Sequence, residues 1–245
     1  MSKDLDLGAQ AISKAVEVGL KSQLDAVEDL QVNISTDPAK LVQGEVDYVE
    51  IKGKGLVMKR DLRAEKLQLA TSNISINPLK AVTGEIELEQ SVAAKTAVVL
   101  TAADIEQALN SEYIQTKLSN LQIRVAGQKT YIKPHQIKFS IPQTDTIWVE
   151  ADIELVETGE IQQVGFKAQP RMTDSGHQVV LENVELLDAA KEQPELTEAL
   201  VEVVTELLDL DNFELEDMSL RFERIGVEPG QIKLQAKAKI DSLPA

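Results

Sequence analysis

The chain of 245 residues has no cysteine, which excludes disulfide bonds and thiol chemistry and is compatible with a reducing compartment. It has only two histidines, His135 and His177. They lie far apart and lack the H-x-x-x-H type of spacing that a metal site needs, so both are expected as surface residues beside turns. Aromatic residues make up 3% of the chain, and the interior must therefore be built from Val, Ile, Leu and Ala. Positive charge is scarce as well: 25 Lys and Arg stand against 41 Asp and Glu, a formal net charge of −16. Nucleic acid is thereby excluded as an expected partner, because its phosphates need a basic surface. Firm electrostatic docking on anionic lipid is disfavoured too, which leaves brief membrane contact through an apolar edge. No apolar run approaches the roughly 20 residues of a membrane span, and the start, Met1 to Asp6, has no apolar signal core. The expected location is cytoplasmic, at most peripheral to a membrane. No Pro/Gly/Ser-rich linker divides the chain, so one domain over residues 1–245 is expected.

What the chain does contain is a segment written twice. Residues 33–46 read N-I-S-T-D-P-A-K-L-V-Q-G-E-V, and residues 73–86 read N-I-S-I-N-P-L-K-A-V-T-G-E-I. In each copy Asp37 or Asn77 can cap a helix by accepting from free backbone N–H groups. Pro38 or Pro78 suits the first helical position, and Gly44 or Gly84 can end the turn. The reading is strand, short helical turn, strand, arising from internal duplication. A weaker echo relates P-H-Q-I-K-F at 134–139 to P-G-Q-I-K-L at 229–234.

The remaining pattern predicts an α+β protein with a long, curved antiparallel sheet. Residues 9–27 carry a helical stripe of Ile12, Ala15, Val16, Gly19, Leu20, Leu24 and Val27. Gly53 and Gly55 mark a bulge or a close backbone approach, and residues 60–63 a polar bend. A long strand is expected from Glu85 to Leu100 with one wet face. Thr101 and Asp104 read as a capping box, and Asn110-Ser111 as a helix break. Strands follow around Leu121–Val125, Pro134–Ile141, Ile147–Leu155, Val164–Met172 and Val179–Leu181. Pro194 opens an amphipathic helix whose outer face holds Glu195, Glu198, Glu202, Glu206 and Asp209. A final hairpin ends with Lys233, Lys237 and Lys239 on one side, a face that can meet the acidic helix.

No catalytic constellation is found. Ser175-Gly176-His177 lacks the G-x-S-x-G elbow, and Gly53-x-Gly55 lacks the continuation of a phosphate loop. Asp209 and Asp211 lack the glycine and terminal glutamate of a calcium loop. Trp148 has the parity of the wet face of its strand. No cofactor or metal is expected, and no enzyme activity.

Val42 to Leu56, Ile74 to Gly84 and the L-T-A-A-D-I-E-Q-A-L run at Leu100–Leu109 resemble the bacterial LmeA-like phospholipid-binding family. The resemblance covers nearly the whole chain. It implies a tubular lipid-binding type of architecture, in which a long sheet wraps amphipathic helices around an aliphatic groove. It further implies binding or transfer of a phospholipid or another fatty-acyl ligand, and no catalysis. The inward parity of the long strands then makes Val92, Ala94, Val149, Ala151, Ile153, Phe166, Leu234 and Ala236 the expected lining. The competing expectation is a protein-interaction or scaffold domain that uses its acidic helix face and sheet edges.

Overall fold

The computed structural model describes residues 2–58, 62–77, 87–120, 122–125, 127–188, 194–207 and 218–241. A helix, α1 (Ser2–Ser22), leads into β1 (Ala26–Ser35), the short α2 (Pro38–Val42), β2 (Glu45–Met58), β3 (Leu62–Ser75) and β4 (Val92–Thr101). Two short helices follow, α3 (Ala102–Leu109) and α4 (Glu112–Ser119). Then come β5 (Gln122–Val125), β6 (Gln128–Gln143), β7 (Thr146–Leu155), β8 (Glu160–Met172) and β9 (Val179–Leu186). The chain continues through α5 (Pro194–Leu207), β10 (Met218–Glu228) and β11 (Gln231–Ile240). The strands form two open antiparallel sheets, one ordered β1-β2-β3-β4-β11-β10 and one ordered β5-β6-β7-β8-β9. The α+β expectation holds at this level.

Local sequence signals account for the short elements. Asp37 caps α2 by accepting from the Ala39 N–H, with Pro38 opening the helix and Gly44 leaving it at φ 80°. The first copy of the repeat is thus strand, turn, strand. Residues 78–86 of the second copy lie outside the described residues. Thr101 and Asp104 form the expected capping box, each side chain bonding the other's backbone N–H. Ser111 caps α4 after the break at Asn110.

Several expectations are corrected. The first helix stops at Ser22, whose hydroxyl donates to the Gly19 carbonyl, and Val27 already belongs to β1. The helical stripe ran on into the strand because Leu24 and Val27 pack on the same cluster as Leu20. The expected long strand begins only at Val92. A bend at Glu89–Gln90 separates it from Leu88, which makes an isolated bridge to Ile76. Leu62 and Arg63 sit in β3, not in a bend. His135 lies inside β6, at a register shift between Pro134 and Gln136, not at a turn.

Gly53 and Gly55 serve close approach, since the register of β2 is unbroken against both neighbours. The Leu56 side chain folds over Gly53, and the Glu28 carboxyl lies where a Cβ of Gly55 would stand. Apolar parity changes at this row: Ala64 and Leu67 are three residues apart on one strand yet share a cluster. Gly55, at φ 58°, sits at that change, and Asn73, at φ 57°, at a second one between Thr71 and Ile74.

The helix α3 joins the two sheets. At its start Asp104 accepts from Arg63 Nη1 of β3 at 2.7 Å. At its end Asn110 binds one residue of β6 twice: its Oδ1 accepts from the Ile137 N–H at 2.9 Å, and its Nδ2 donates to the Ile137 carbonyl at 2.6 Å. Glu106 accepts from the Phe139 N–H at 2.9 Å. These side chains do for that edge of β6 what a paired strand would do. Replacing Asn110 with Ala strips two partners from a half-buried backbone, so a loss of about 2 kcal/mol in unfolding free energy is expected from urea denaturation.

Candidate functional site

The eight expected lining residues divide between the sheets. Val149, Ala151 and Ile153 of β7 and Phe166 of β8 lie in the largest core cluster, beneath Leu196, Leu200 and Val204 of α5 and Ile114 and Leu118 of α4. Val149 and Phe166 face each other across the strands and are fully buried, each with 0% exposure. Val92 and Ala94 of β4, with Ala236 of β11, belong to three separate smaller clusters of the six-stranded sheet. Leu234 is half-buried and touches both the main core and the cluster around Phe222. The structure therefore gathers four of the eight, joins Leu234 to them, and leaves the other three spread along a second face.

That second face differs in character. Its buried clusters hold three or four residues each, and between them lie half-buried aliphatics: Val49 and Ile51 of β2, Leu67 and Leu69 of β3, Val98 and Leu100 of β4. Register places Leu67 beside Val98, and Val98 beside Leu234, so the row crosses three strands. Thr96, between Leu69 and Ala236, carries the one buried side-chain polar atom without a hydrogen-bond partner among the described residues. Val49 and Ile51 were missed as site residues. The signal available for them was the shared parity of Val49, Ile51 and Gly53, masked by the changes at both ends of that run.

The helix α1 lies along the edge strand β1. Ile12, Val16, Gly19 and Leu20 are half-buried, with no fully buried residue among the described side chains of α1. Its C-terminal end is pinned, with Leu20 and Leu24 in the cluster around Leu56 and the Asp25 N–H donating to the Val57 carbonyl at 2.9 Å. Beside its middle there is a cleft of about 300 Å³, lined by Gln10, Ser13, Lys14, Glu17, Val32, Asn33 and Ile34. Glu17 accepts from Lys21 at 2.7 Å and from Lys14 at 2.9 Å. These two hydrogen bonds, Lys21 first, hold its carboxyl below the usual range despite some desolvation.

Several other charged groups pair locally. His135 meets Glu154 at 2.7 Å on the surface, and no group of three or more metal-ligating side chains occurs among the described residues. Lys233 pairs with Glu228, Lys237 with Glu223 and Lys239 with Asp241, so among the described residues these lysines pair within their own hairpin and its end rather than with the acidic helix. Glu195, Glu198 and Glu202 of α5 are exposed, and the side chains of Glu206, Asp209 and Asp211 lie outside the described residues. Trp148 is 39% exposed, on the wet side of β7 as its parity predicts.

The family model of the LmeA-like phospholipid-binding proteins matches residues 5–237. The chain belongs to the LmeA-like phospholipid-binding family. No curated protein and no solved structure matches it. Membership gives lipid as the general class of ligand, and the family is not a known enzyme family. No helix among the described residues is long and apolar enough to cross a membrane. Among the described residues, the face of β2, β3, β4 and β11 is only partly covered, whereas the inner face of the five-stranded sheet is buried in the largest core cluster.

Proposed function

We propose that this LmeA-like protein binds a phospholipid by laying its acyl chains along the half-buried face of the six-stranded sheet, and carries it between membranes without chemistry. The observation that supports this most is the row Leu67, Val98, Leu234, with Ile51 and Leu69 in the next row, which is apolar yet incompletely covered. In this reading Val92, Ala94, Leu234 and Ala236 line the seat. Val149, Ala151, Ile153 and Phe166 hold the helical layer that closes its end. The whole chain, 1–245, acts as one unit, with a curved sheet wrapping amphipathic helices in tubular fashion. Contact with the membrane is transient.

Desolvation supplies the affinity. Each methylene taken from water contributes about 0.8 kcal/mol, so ten of them give about 8 kcal/mol before the cost of association. Few polar contacts are then needed. Native mass spectrometry before and after organic extraction tests the proposal: a co-purifying phospholipid that extraction removes is the expected result. Val98→Trp should fill the seat and weaken uptake of a fluorescent fatty acid at least about tenfold, with little loss of stability because the site is only half-buried. A protein that purifies free of lipid, takes up none, and binds other proteins through α5 is instead a scaffold.

A further inference from the structure

The lipid-binding reading assigns seats for acyl chains and none for a headgroup. The cleft between α1 and β1 has the chemistry that is missing. Asn33 and the pair Val32 and Ile34 lie on opposite faces of β1, the edge strand of its sheet. The cleft reaches all three, so it straddles the strand edge and changes from polar to apolar within one residue, about 3.3 Å. The same change occurs in a phospholipid at the glycerol, where the phosphodiester ends and the acyl chains begin. Across the cleft, α1 contributes Ser13 and Lys14, and Glu17 below them. Lys14 and Lys21 share the single carboxylate of Glu17, so the three groups carry one net positive charge in a chain of net charge −16. Lys14 is 68% exposed at its side chain and can turn from Glu17 to a ligand without being dug out of the core.

We infer that the cleft between α1 and β1 is a headgroup site for a phosphodiester, with Lys14 meeting the phosphate, Ser13 and Asn33 supplying hydrogen bonds, and the acyl chains passing over Val32 and Ile34 onto the sheet. The site rests on the lipid-binding reading and deepens it. A surplus positive charge beside neutral donors selects a phosphate monoanion over an uncharged glyceride. Glu17 holds Lys14 beside the cleft through its 2.9 Å hydrogen bond.

The test compares dioleoyl phosphatidylglycerol with dioleoylglycerol, which has the same chains without the phosphate. Each displaces a fluorescent fatty acid from the full chain at about 0.15 M salt, where long-range repulsion is screened. The unmodified protein should prefer the phospholipid about tenfold. Lys14→Gln and Asn33→Asp, both at exposed positions, should each remove most of that preference and leave dioleoylglycerol binding within about twofold. Equal binding of both lipids by the unmodified protein, or variants that keep the preference, overturns the headgroup site and leaves acyl-chain binding standing. Binding of neither lipid overturns the lipid-binding reading itself, and the site with it.

Discussion

Gly176→Ala is expected to lower the unfolding free energy by about 3 kcal/mol, a drop of roughly 6–12 °C in Tm for a chain of this size. Gly176 ends the turn between β8 and β9 at φ 75°, and a Cβ built there would stand 2.3 Å from the Phe222 carbonyl oxygen of β10. The obstacle is backbone, which cannot turn aside as a side chain would. The Phe222 N–H also donates to the Gly176 carbonyl at 2.9 Å, so any shift breaks a bond between the two sheets. Gly159→Ala is the control. Its φ is 72° and nothing lies within 4 Å of the added carbon, so only the left-handed conformation is penalised, by about 1 kcal/mol. Equal losses in the two variants, measured by urea denaturation, would mean that the approach of β10 to this turn contributes nothing.

Arg63→Met should cost about 2 kcal/mol at neutral pH and much less in acid. Arg63 donates to Asp104 at 2.7 Å, to Glu65 at 3.0 Å and to Glu28 at 2.6 Å, which ties β3 to β1 and to α3. Asp104 is only 6% exposed. Burial pushes its carboxyl up, but the hydrogen bonds from Thr101 and Arg63 outweigh that and hold it below the ordinary value of 3.8. The same contacts, Asp104 first and Glu28 next, raise the Arg63 guanidinium. A carboxyl with a depressed folded pKa stabilises fully above its unfolded value and loses that contribution as pH falls through the folded one. The difference between Arg63→Met and the unmodified chain should therefore be complete at pH 7 and shrink below about 3.8. Using the difference cancels the general effect of acid on so acidic a protein. A gap that stays constant down to pH 3 would assign the role of Arg63 to its aliphatic stem.

The parts legible in the sequence are those whose partners lie a few residues away. The capping box of Thr101 and Asp104 and the Asp37 cap before Pro38 are closed by bonds spanning two or three residues, and the helical stripe opened by Pro194 lies within one element. Wherever a partner came from elsewhere, the reading slipped. Arg63 looked like part of a polar bend because Asp104, its partner, lies 41 residues on. The alternation of β2 looked irregular because its parity changes at two rows, one of which is set by Asn73 on the neighbouring strand. Asn73 is left-handed, and its counterpart Asn33 in the other repeat copy is not among the left-handed residues. Identical residues in the two copies thus adopt different backbones.

By itself the sequence determined an α+β chain of aliphatic strands and amphipathic helices, its helix caps and its family, because periodicity and capping act within one element. Only the tertiary structure decided which inward faces are sealed. Val149 and Val98 have the same parity relation to their strands, yet one lies beneath α4 and α5 and the other between small clusters with partial cover. Parity records the side of a sheet on which a residue stands. Whether another layer covers that side depends on strand pairings such as β4 with β11, made between segments more than a hundred residues apart.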